Sequence, residues 1–238
     1  MTLNKTGIDW CDCSDNPVSG CYGPDGTALN PRYCRDCYAL KIASRFNGTK
    51  AWPHGFKPTI HPERLGDFIK EKRPRTIFVC SMADLFGDWV PDLWINDIMK
   101  ACDAAPWHTY IFLTKNPARY KRLPLCYFKN NHWFGTSVSY RSDIHRIMTL
   151  QTLPKSVNTF ISFEPLLANF TKENLSGISQ IIIGAQTNPT IKPELRWIID
   201  LEESARDYGI RVFCKESLFY IPRGYFLREL AWPIHKEV

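Results

Sequence analysis

Short apolar runs alternate with amphipathic stretches along most of the chain. The runs are rich in β-branched and aromatic residues and are apolar at successive positions, which is typical of parallel strands covered on both faces. Six strands are predicted on this basis: Thr76–Cys80, Thr109–Thr114, Trp133–Val138, Thr159–Phe163, Gln180–Gly184 and Arg211–Lys215. A seventh, shorter strand is predicted near Gly7–Trp10.

Helical periodicity lies between these strands. One helix is predicted from Pro91 towards Ala101, and another begins at Asn116-Pro117 because proline suits the first helical position. Four more are predicted: Arg35–Phe46, Pro62–Lys72, Ser142–Leu150 and Pro193–Tyr208.

Repeated strand and helix units with right-handed crossovers predict a parallel sheet. The predicted fold class is α/β, a single-domain partial (β/α) TIM-like barrel of about six to seven parallel strands. A flat doubly wound sheet is the main alternative, although no G-x-G-x-x-G turn favours it. No linker, repeat or low-complexity tract divides residues 1–238, and residues 11–38 form a long N-terminal loop of the kind that is often functional.

Composition narrows the class of protein. With 44% hydrophobic and 23% charged residues, the chain has the make-up of a folded protein, and its net charge of +6 suits contact with phosphates or nucleic acid without requiring it. No apolar window is long enough to span a membrane, and the N-terminus lacks the apolar core of a signal peptide. We therefore expect a cytoplasmic monomer that does not bind membranes.

Nine cysteines are many for a reducing compartment, and five of them precede residue 38. Clustered cysteines there indicate metal or redox chemistry more often than disulfides. Cys34 and Cys37 form a Cys-x-x-Cys pair where the first helix is predicted to begin, and backbone N–H groups at such a position favour thiolates. With Cys21 as a third ligand, three irons of a cubane cluster would be bound and the fourth left open for chemistry.

Spacing alone leaves other interpretations open. Cys11 or Cys13 could complete a closed zinc site, and Cys34 and Cys37 could instead form a redox pair. The remaining buried-looking cysteines, Cys80, Cys102 and Cys214, are interpreted as small core residues. The histidines at 61, 132 and 145 lack metal-ligand spacing and are interpreted as surface or capping residues.

Further motifs extend over nearly the whole chain, and through them it resembles a phage-associated family of unknown function related to the radical S-adenosylmethionine (radical SAM) superfamily. The matching segments are DNPVSGC at 15–21, CRDCYA at 34–39, HPERL at 61–65, FVCSMADLF at 78–86, LTKNP at 113–117, GTSVS at 135–139, SFEPLL at 162–167 and FCK at 213–215.

The resemblance implies a [4Fe–4S] cluster on Cys21, Cys34 and Cys37 at the C-terminal mouth of the barrel, with S-adenosyl-L-methionine on the open iron. One electron, from an external flavodoxin- or ferredoxin-type donor, would then give a 5′-deoxyadenosyl radical. The spacing departs from the superfamily's usual C-x3-C-x2-C, because twelve residues separate Cys21 from Cys34. The superfamily usually has an aromatic residue that packs on the adenine just before the third cysteine, and this position is Asp36 here. Tyr38 or Tyr33 is therefore expected to make the contact with the adenine.

The resemblance also implies roles for residues at the strand ends. Ser81, Met82 and Asp84 are expected to hold the methionine amino group, although Asp84 could equally bind backbone in a turn. Ser137 and Ser139 could meet the ribose or the carboxylate, or close local turns. The small Gly184 would admit the adenine, with Gln186 nearby.

Glu164 and Lys215 are the candidate catalytic residues. A carboxylate at a barrel mouth is costly unless it binds something, and a lysine at a strand end suits a substrate anion or the cofactor carboxylate. Lys215 could instead pack its stem and expose its head. The leading hypothesis is therefore a radical SAM enzyme acting on a nucleotide or nucleic acid. The alternative is a zinc-stabilised nucleic-acid-binding or interaction protein without catalysis, suggested by Cys11, Cys13, the positive charge and the aromatic residues of the loop.

Overall fold

The structure is a computed structural model that describes residues 3–171, 173–220 and 226–235. The strands are β1 (Asn4–Lys5), β2 (Cys13–Asp15), β3 (Val18–Ser19), β4 (Thr59–Ile60), β5 (Thr76–Val79), β6 (Thr109–Thr114), β7 (His132–Ser137), β8 (Asn158–Phe163), β9 (Gln180–Ile183), β10 (Gln186–Thr187), β11 (Thr190–Ile191) and β12 (Arg211–Cys214). The α-helices are α1 (Tyr38–Arg45), α2 (Asp67–Lys70), α3 (Asp92–Asp103), α4 (Ile144–Leu150) and α5 (Leu195–Asp207).

The main sheet has the order β1-β2-β5-β6-β7-β8-β9-β12. Its strands from β2 to β12 pair in parallel, and β1 adds an antiparallel edge. The order follows the chain without reversing, whereas a doubly wound sheet reverses at a switch point. The prediction of a partial β/α barrel with about seven parallel strands is therefore confirmed.

Strand positions agree closely with the sequence pattern from residue 76 onward. Each of the six predicted strands is present and differs by at most one residue at either end. The strand predicted near Gly7–Trp10 is wrong, because the first parallel strand is Cys13–Asp15. The Trp10 side chain is instead buried in the barrel interior. An apolar residue is present at this position because of that burial, and not because the segment is a strand.

The predicted helices are present but shorter at several ends. The segment after Asn116 is a 3₁₀ helix, Pro117–Arg122, and the predicted Pro62–Lys72 helix is split into Pro62–Arg64 and α2. Other 3₁₀ turns cover Leu125–Tyr127, Arg141–Asp143 and Glu216–Leu218. Among the helices of the described residues, none has the length and apolar character needed to cross a membrane.

The sheet separates two apolar clusters. The larger one lies between the strands and the helices outside them, and it includes Cys80, Cys102 and Cys214 as buried residues. The smaller one fills the interior of the barrel with alternate residues of successive strands: Phe78, Ile111, Trp133, Phe160, Ile182 and Phe213. Period-two alternation therefore assigns the apolar residues of these strands to one cluster or the other.

A C-terminal tryptophan closes the bottom of the barrel, at the amino ends of the strands. Trp232 is 3% exposed, its ring centroid lies 4.9 Å from Trp133 and 5.4 Å from Phe160, and its indole N–H donates to the Trp10 carbonyl at 2.9 Å. Its neighbour His235 donates its backbone N–H to a carboxylate oxygen of Asp12. This segment fills the gap between the first and last parallel strands.

Two of the three histidines interpreted as surface or capping residues are buried. His61 is hydrogen-bonded to the Ser19 hydroxyl at 2.8 Å, and His132 Nδ1 lies 2.8 Å from the Tyr127 carbonyl. Burial lowers the pKa of both imidazoles, so they are neutral structural residues. His145 is exposed.

Replacing the interior tryptophan, Trp232→Ala, should lower the free energy of unfolding by about 3–5 kcal/mol, because it leaves a cavity among aromatic rings. Chemical denaturation measures this change. The control Leu125→Ala removes a side chain that is 74% exposed and should change the same quantity by less than about 0.5 kcal/mol. Equal effects of the two substitutions would contradict the proposed closure of the barrel by Trp232.

Candidate active site

A cavity of about 650 Å³ opens at the carboxyl ends of the strands, opposite Trp232. Its volume is typical of small-molecule sites, and its position is the one where β/α barrels keep their chemistry. Most of the residues predicted from the sequence line it: Cys21, Cys34, Cys37, Tyr38, Ser81, Met82, Asp84, Ser137, Glu164, Gln186 and Lys215.

Strand alternation brings the polar residues into this cavity. On β8, Phe160 packs in the barrel interior, and Ser162 and then Glu164 follow on the same face towards the opening. On β12, Phe213 is likewise interior and Lys215 follows it. The register of the parallel pairs places the ends of β8, β9 and β12 side by side, so the Glu164 and Lys215 side chains come into contact.

Cys21 is fixed by a tight turn and by contact with the strand β5 end. Gly20 forms an isolated parallel bridge with Ala83, and the Cys21 N–H donates to the Phe56 carbonyl at 3.1 Å. Gly23 has φ +86°, and a side chain there would collide with the Arg32 carbonyl. This turn lets the Gly23 N–H donate to Cys21 Sγ at 3.1 Å.

Cys37 caps helix α1. Its Sγ accepts the backbone N–H of Leu40 at 3.4 Å, and its own N–H donates to the Cys34 carbonyl at 3.3 Å. The predicted placement of the Cys-x-x-Cys pair at a helix start is thus present in the structure. N–H groups directed at sulfur stabilise the thiolate form, which is the form that binds metal.

The surroundings of Cys21 and Cys34 disfavour the thiolate form of both side chains. Burial, together with the Asp84 carboxylate and the neighbouring Cys34 and Cys37, raises the pKa of Cys21 to about 12 despite the Gly23 N–H. Burial also raises the pKa of Cys34, although Lys115 opposes this. A bound cation would offset both costs, because metal binding displaces the thiol protons.

The ligand set for a closed zinc site is not assembled. Cys13 lies on β2 and faces the outer apolar cluster, while Cys11 packs with the interior one, and neither lines the cavity. Within residues 3–171, 173–220 and 226–235, no three His, Cys, Asp or Glu side chains are grouped to hold one metal ion. Of the cysteines in the described residues, Cys21, Cys34 and Cys37 line the cavity.

The segment after β5 is held by two acceptors. Asn16 Oδ1 accepts the Met82 N–H at 2.8 Å and the Ser81 hydroxyl at 3.2 Å. The Asp84 carboxylate accepts the Thr114 hydroxyl at 2.6 Å and the Lys115 N–H at 2.9 Å. Asp84 therefore joins the ends of β5 and β6, in the turn-forming role that was the alternative for this residue, while it still lines the cavity.

Lys215, which follows β12, and Glu164, which follows β8, form an ion pair across the end of β9, the strand between them. They meet above Gly184, where a Cβ would stand 3.1 Å from Lys215 Cδ and 3.3 Å from Glu164 Cγ. Gly184 therefore makes room for the ion pair and does not itself line the cavity. Burial opposes the Lys215 charge, but the Glu164 carboxylate and then Asp9 outweigh it, so the pKa of Lys215 is raised and the ammonium persists.

The other predicted residues are placed as follows. Tyr38 donates its hydroxyl to the Ser81 carbonyl, and burial of that hydroxyl and the nearby Glu164 raise its pKa. Gln186 presents a buried amide nitrogen that has no hydrogen-bond partner in the described part of the chain. Ser139 does not line the cavity, because its N–H donates to Asp143 at 2.9 Å in the turn before α4.

Asn16, Ser162 and Asp9 were missed by the sequence reasoning. Asn16 and Ser162 line the cavity, and Asp9 lies 4.0 Å from Lys215 Nζ and accepts the Glu216 N–H at 2.9 Å. Asn16 and Ser162 do lie inside matched motifs, which was the available signal. The partners of Asn16 and Asp9 are far along the chain, so no local pattern marks these two residues.

The fold and this cavity define a partial β/α barrel protein with a thiol-lined site at the carboxyl ends of its strands. The chain belongs to the family described as "Protein of unknown function (DUF5131)", whose model matches residues 5–225. No curated protein matches the chain.

Solved structures resemble the chain in fold. Spore photoproduct lyase complexed with dinucleoside spore photoproduct has a TM-score of 0.55 and 11% identity, with 90% of this chain and 79% of that chain covered. A mutant of that lyase with bound AdoMet and dinucleoside spore photoproduct has a TM-score of 0.56 and 11% identity, with 89% and 78% covered. Identity this low shows a shared fold.

Removing the carboxylate beside Lys215, Glu164→Gln, should lower the free energy of unfolding by about 1–3 kcal/mol at neutral pH, because it leaves the ammonium without its main partner. The raised pKa means that this contribution is complete below the unfolded-state pKa of about 10.4 and is lost as the pH rises through the folded-state value. Denaturation at several pH values measures the difference, which should shrink in alkali.

Glu216→Gln is the matched control. The Glu216 side chain is 67% exposed and 3.9 Å from Arg228, so its loss should have little effect at any pH. A Glu164→Gln effect that stayed constant into strong alkali would contradict the assignment of the ion pair.

Proposed function

We propose that this chain is a radical SAM enzyme. The observation that carries the proposal is that Cys21, Cys34 and Cys37 all line the same cavity, with N–H donors directed at the sulfurs of Cys21 and Cys37. Ligation of a cluster would displace the protons that burial keeps on these thiols. The fold shared with a lyase solved with bound AdoMet supports the same proposal.

The three thiolates would hold three irons of a [4Fe–4S] cluster, and S-adenosyl-L-methionine would bind beside it in the same cavity. The cluster, when bound and reduced by an external flavodoxin- or ferredoxin-type donor, supplies the electron that converts S-adenosyl-L-methionine into methionine and a 5′-deoxyadenosyl radical. The chain itself binds, orients and excludes water.

The cavity residues fit a zwitterionic and hydrogen-bonding ligand. Tyr38, Ser81 and Met82 line the cavity together with the thiols, and Asp84 would face the methionine amino group. The unpartnered amide nitrogen of Gln186 would donate to an acceptor on the adenosine side. Ser137 lines the same cavity and would meet a hydroxyl or carboxylate.

Glu164 and Lys215 would act on the substrate side of the cavity. Together they present one negative and one positive group held at fixed positions by Gly184 and Asp9. Such a pair can orient a polar substrate by accepting from its N–H groups and donating to its carbonyl or phosphate oxygens. A nucleotide or nucleic acid carries both kinds of group.

Each of Cys21→Ala, Cys34→Ala and Cys37→Ala should lose most of the iron and the visible absorbance gained on anaerobic reconstitution, because a cubane needs all three thiolates. Iron analysis and absorption spectroscopy measure this loss. Cys126→Ala is the control: Cys126 is exposed, lies in the Leu125–Tyr127 turn and does not line the cavity.

The reconstituted protein, reduced with dithionite, should also release 5′-deoxyadenosine from S-adenosyl-L-methionine. A protein that stays colourless and contains zinc would refute the cluster. A coloured protein that never releases 5′-deoxyadenosine would refute the enzyme while leaving the cluster intact.

A further inference from the structure

The segment beside the cavity, residues 21–58, accounts for most of the net positive charge of the chain. Residues 21–58 contain six Lys or Arg and two Asp, which gives a net charge of +4 out of the +6 of the whole chain. Six exposed residues of this segment lie along α1 and the loop before it, and we call them the α1 rim: Tyr33, Arg35, Tyr38, Lys41, Arg45 and Phe46.

Helical spacing creates this surface. Tyr38, Lys41 and Arg45 are three and four residues apart and share the outer face of α1. The inner face is fixed to the protein by Ala39 and Ala43, which are buried in a small cluster with Trp52 and Phe56. Helix α1 is therefore fixed in place, and Tyr38 is held further by the hydrogen bond from its hydroxyl to the Ser81 carbonyl. The Lys41 and Arg45 side chains are exposed.

Aromatic and basic side chains are interleaved along the rim, and Ile42, four residues from both Tyr38 and Phe46, is 37% exposed beside them. Tyr38 is 54% exposed and Phe46 is 45% exposed, and the Arg45 guanidinium lies 5.4 Å from the centre of the Phe46 ring. A protein interface usually has a desolvated centre depleted of charge, whereas interleaved aromatic and basic side chains are typical of surfaces that bind single-stranded nucleic acid.

The cations of the rim are available to an anion. Asp36 is the carboxylate beside them, 3.7 Å from Arg35 and 3.9 Å from Lys41, at separations where exposed ion pairs are weak. Arg35, Tyr38 and Lys41 also line the mouth of the cavity. A ligand bound along the rim would therefore extend directly into the candidate active site.

We propose that the α1 rim binds a single-stranded polynucleotide, with phosphates on Arg35, Lys41 and Arg45 and bases stacked on Tyr38 and Phe46. The helix rises about 12 Å between these two rings, which corresponds to about three or four nucleotides at about 3.4 Å each. The polynucleotide would then place one base in the cavity. This inference rests on the proposed function for what happens to that base, but binding itself needs no turnover.

The test uses the full chain, reconstituted anaerobically, and a fluorescein-labelled oligothymidylate of about 12 nucleotides. The double variant Lys41→Glu/Arg45→Glu should weaken binding about tenfold or more and make the salt dependence of the affinity shallower, because about two phosphate contacts are lost. Fluorescence anisotropy at several salt concentrations measures both. Lys100→Glu/Lys155→Glu, on exposed positions outside the rim and the cavity, makes the same change of charge and should alter the affinity less than about threefold.

Phe46→Ala separates stacking from charge. It should weaken binding about fivefold or more with an unchanged salt dependence, since a stacked base is lost but no phosphate contact is. Affinity should rise with oligonucleotide length up to about four nucleotides and then level off, and melting temperatures should confirm that each variant is folded.

Equal losses for the rim variant and the control variant, or no loss with Phe46→Ala, would reduce the binding to general charge attraction and overturn the proposal. Unchanged oligonucleotide binding combined with slower cluster reduction by reduced flavodoxin would instead make the rim a docking face for an acidic protein. Failure of 5′-deoxyadenosine release with rim-dependent binding intact would refute the proposed function alone.

Discussion

The in-step register of the parallel strands is the constraint on which the candidate site depends. Because neighbouring strands pair level with one another and alternate residues share a face, the positions that follow the interior core all reach the same opening. Glu164 follows Phe160 and Ser162 in this way, and Lys215 follows Phe213. A slip of one residue would turn both charged side chains into the outer apolar cluster, where an ionised group is very costly.

The two ends of the barrel differ because the interior is closed at only one of them. Trp232 fills the bottom with an aromatic ring and donates its indole N–H to the Trp10 carbonyl. The buried side chain of Gln180, at the amino end of β9, is hydrogen-bonded to the backbone of Glu229 and Ala231. At the top the interior instead ends at Gly184, which has no side chain. That gap lets Lys215 and Glu164 extend towards each other across the end of β9, and Asp9 lies 4.0 Å from the lysine ammonium.

The sequence predicts the parallel strands well because each one is buried on both faces, which leaves a short, dense apolar signal such as that of Thr109–Thr114. The strand prediction fails at Gly7–Trp10, because Trp10 packs in the barrel interior from a segment that is not a strand. The strand-end residues are predictable from position alone, as Glu164 and Lys215 illustrate. Asn16 is not, because its bonds to Ser81 and Met82 join segments 65 and 66 residues apart, and no local pattern records such a contact.

The electrostatics of the thiols connect the fold to the proposed chemistry. Asp84 is needed where it stands, because it joins the ends of β5 and β6. Its negative charge nevertheless raises the pKa of Cys21, and so do burial and the two neighbouring cysteines. In a metal-free protein this arrangement would only keep the thiols protonated, yet Gly23 and Leu40 direct N–H groups at two of the sulfurs, which stabilises thiolates. The Gly23 and Leu40 N–H groups therefore provide hydrogen bonds that the thiolates of a bound metal centre would accept, while burial and Asp84 set a cost that metal binding would have to exceed.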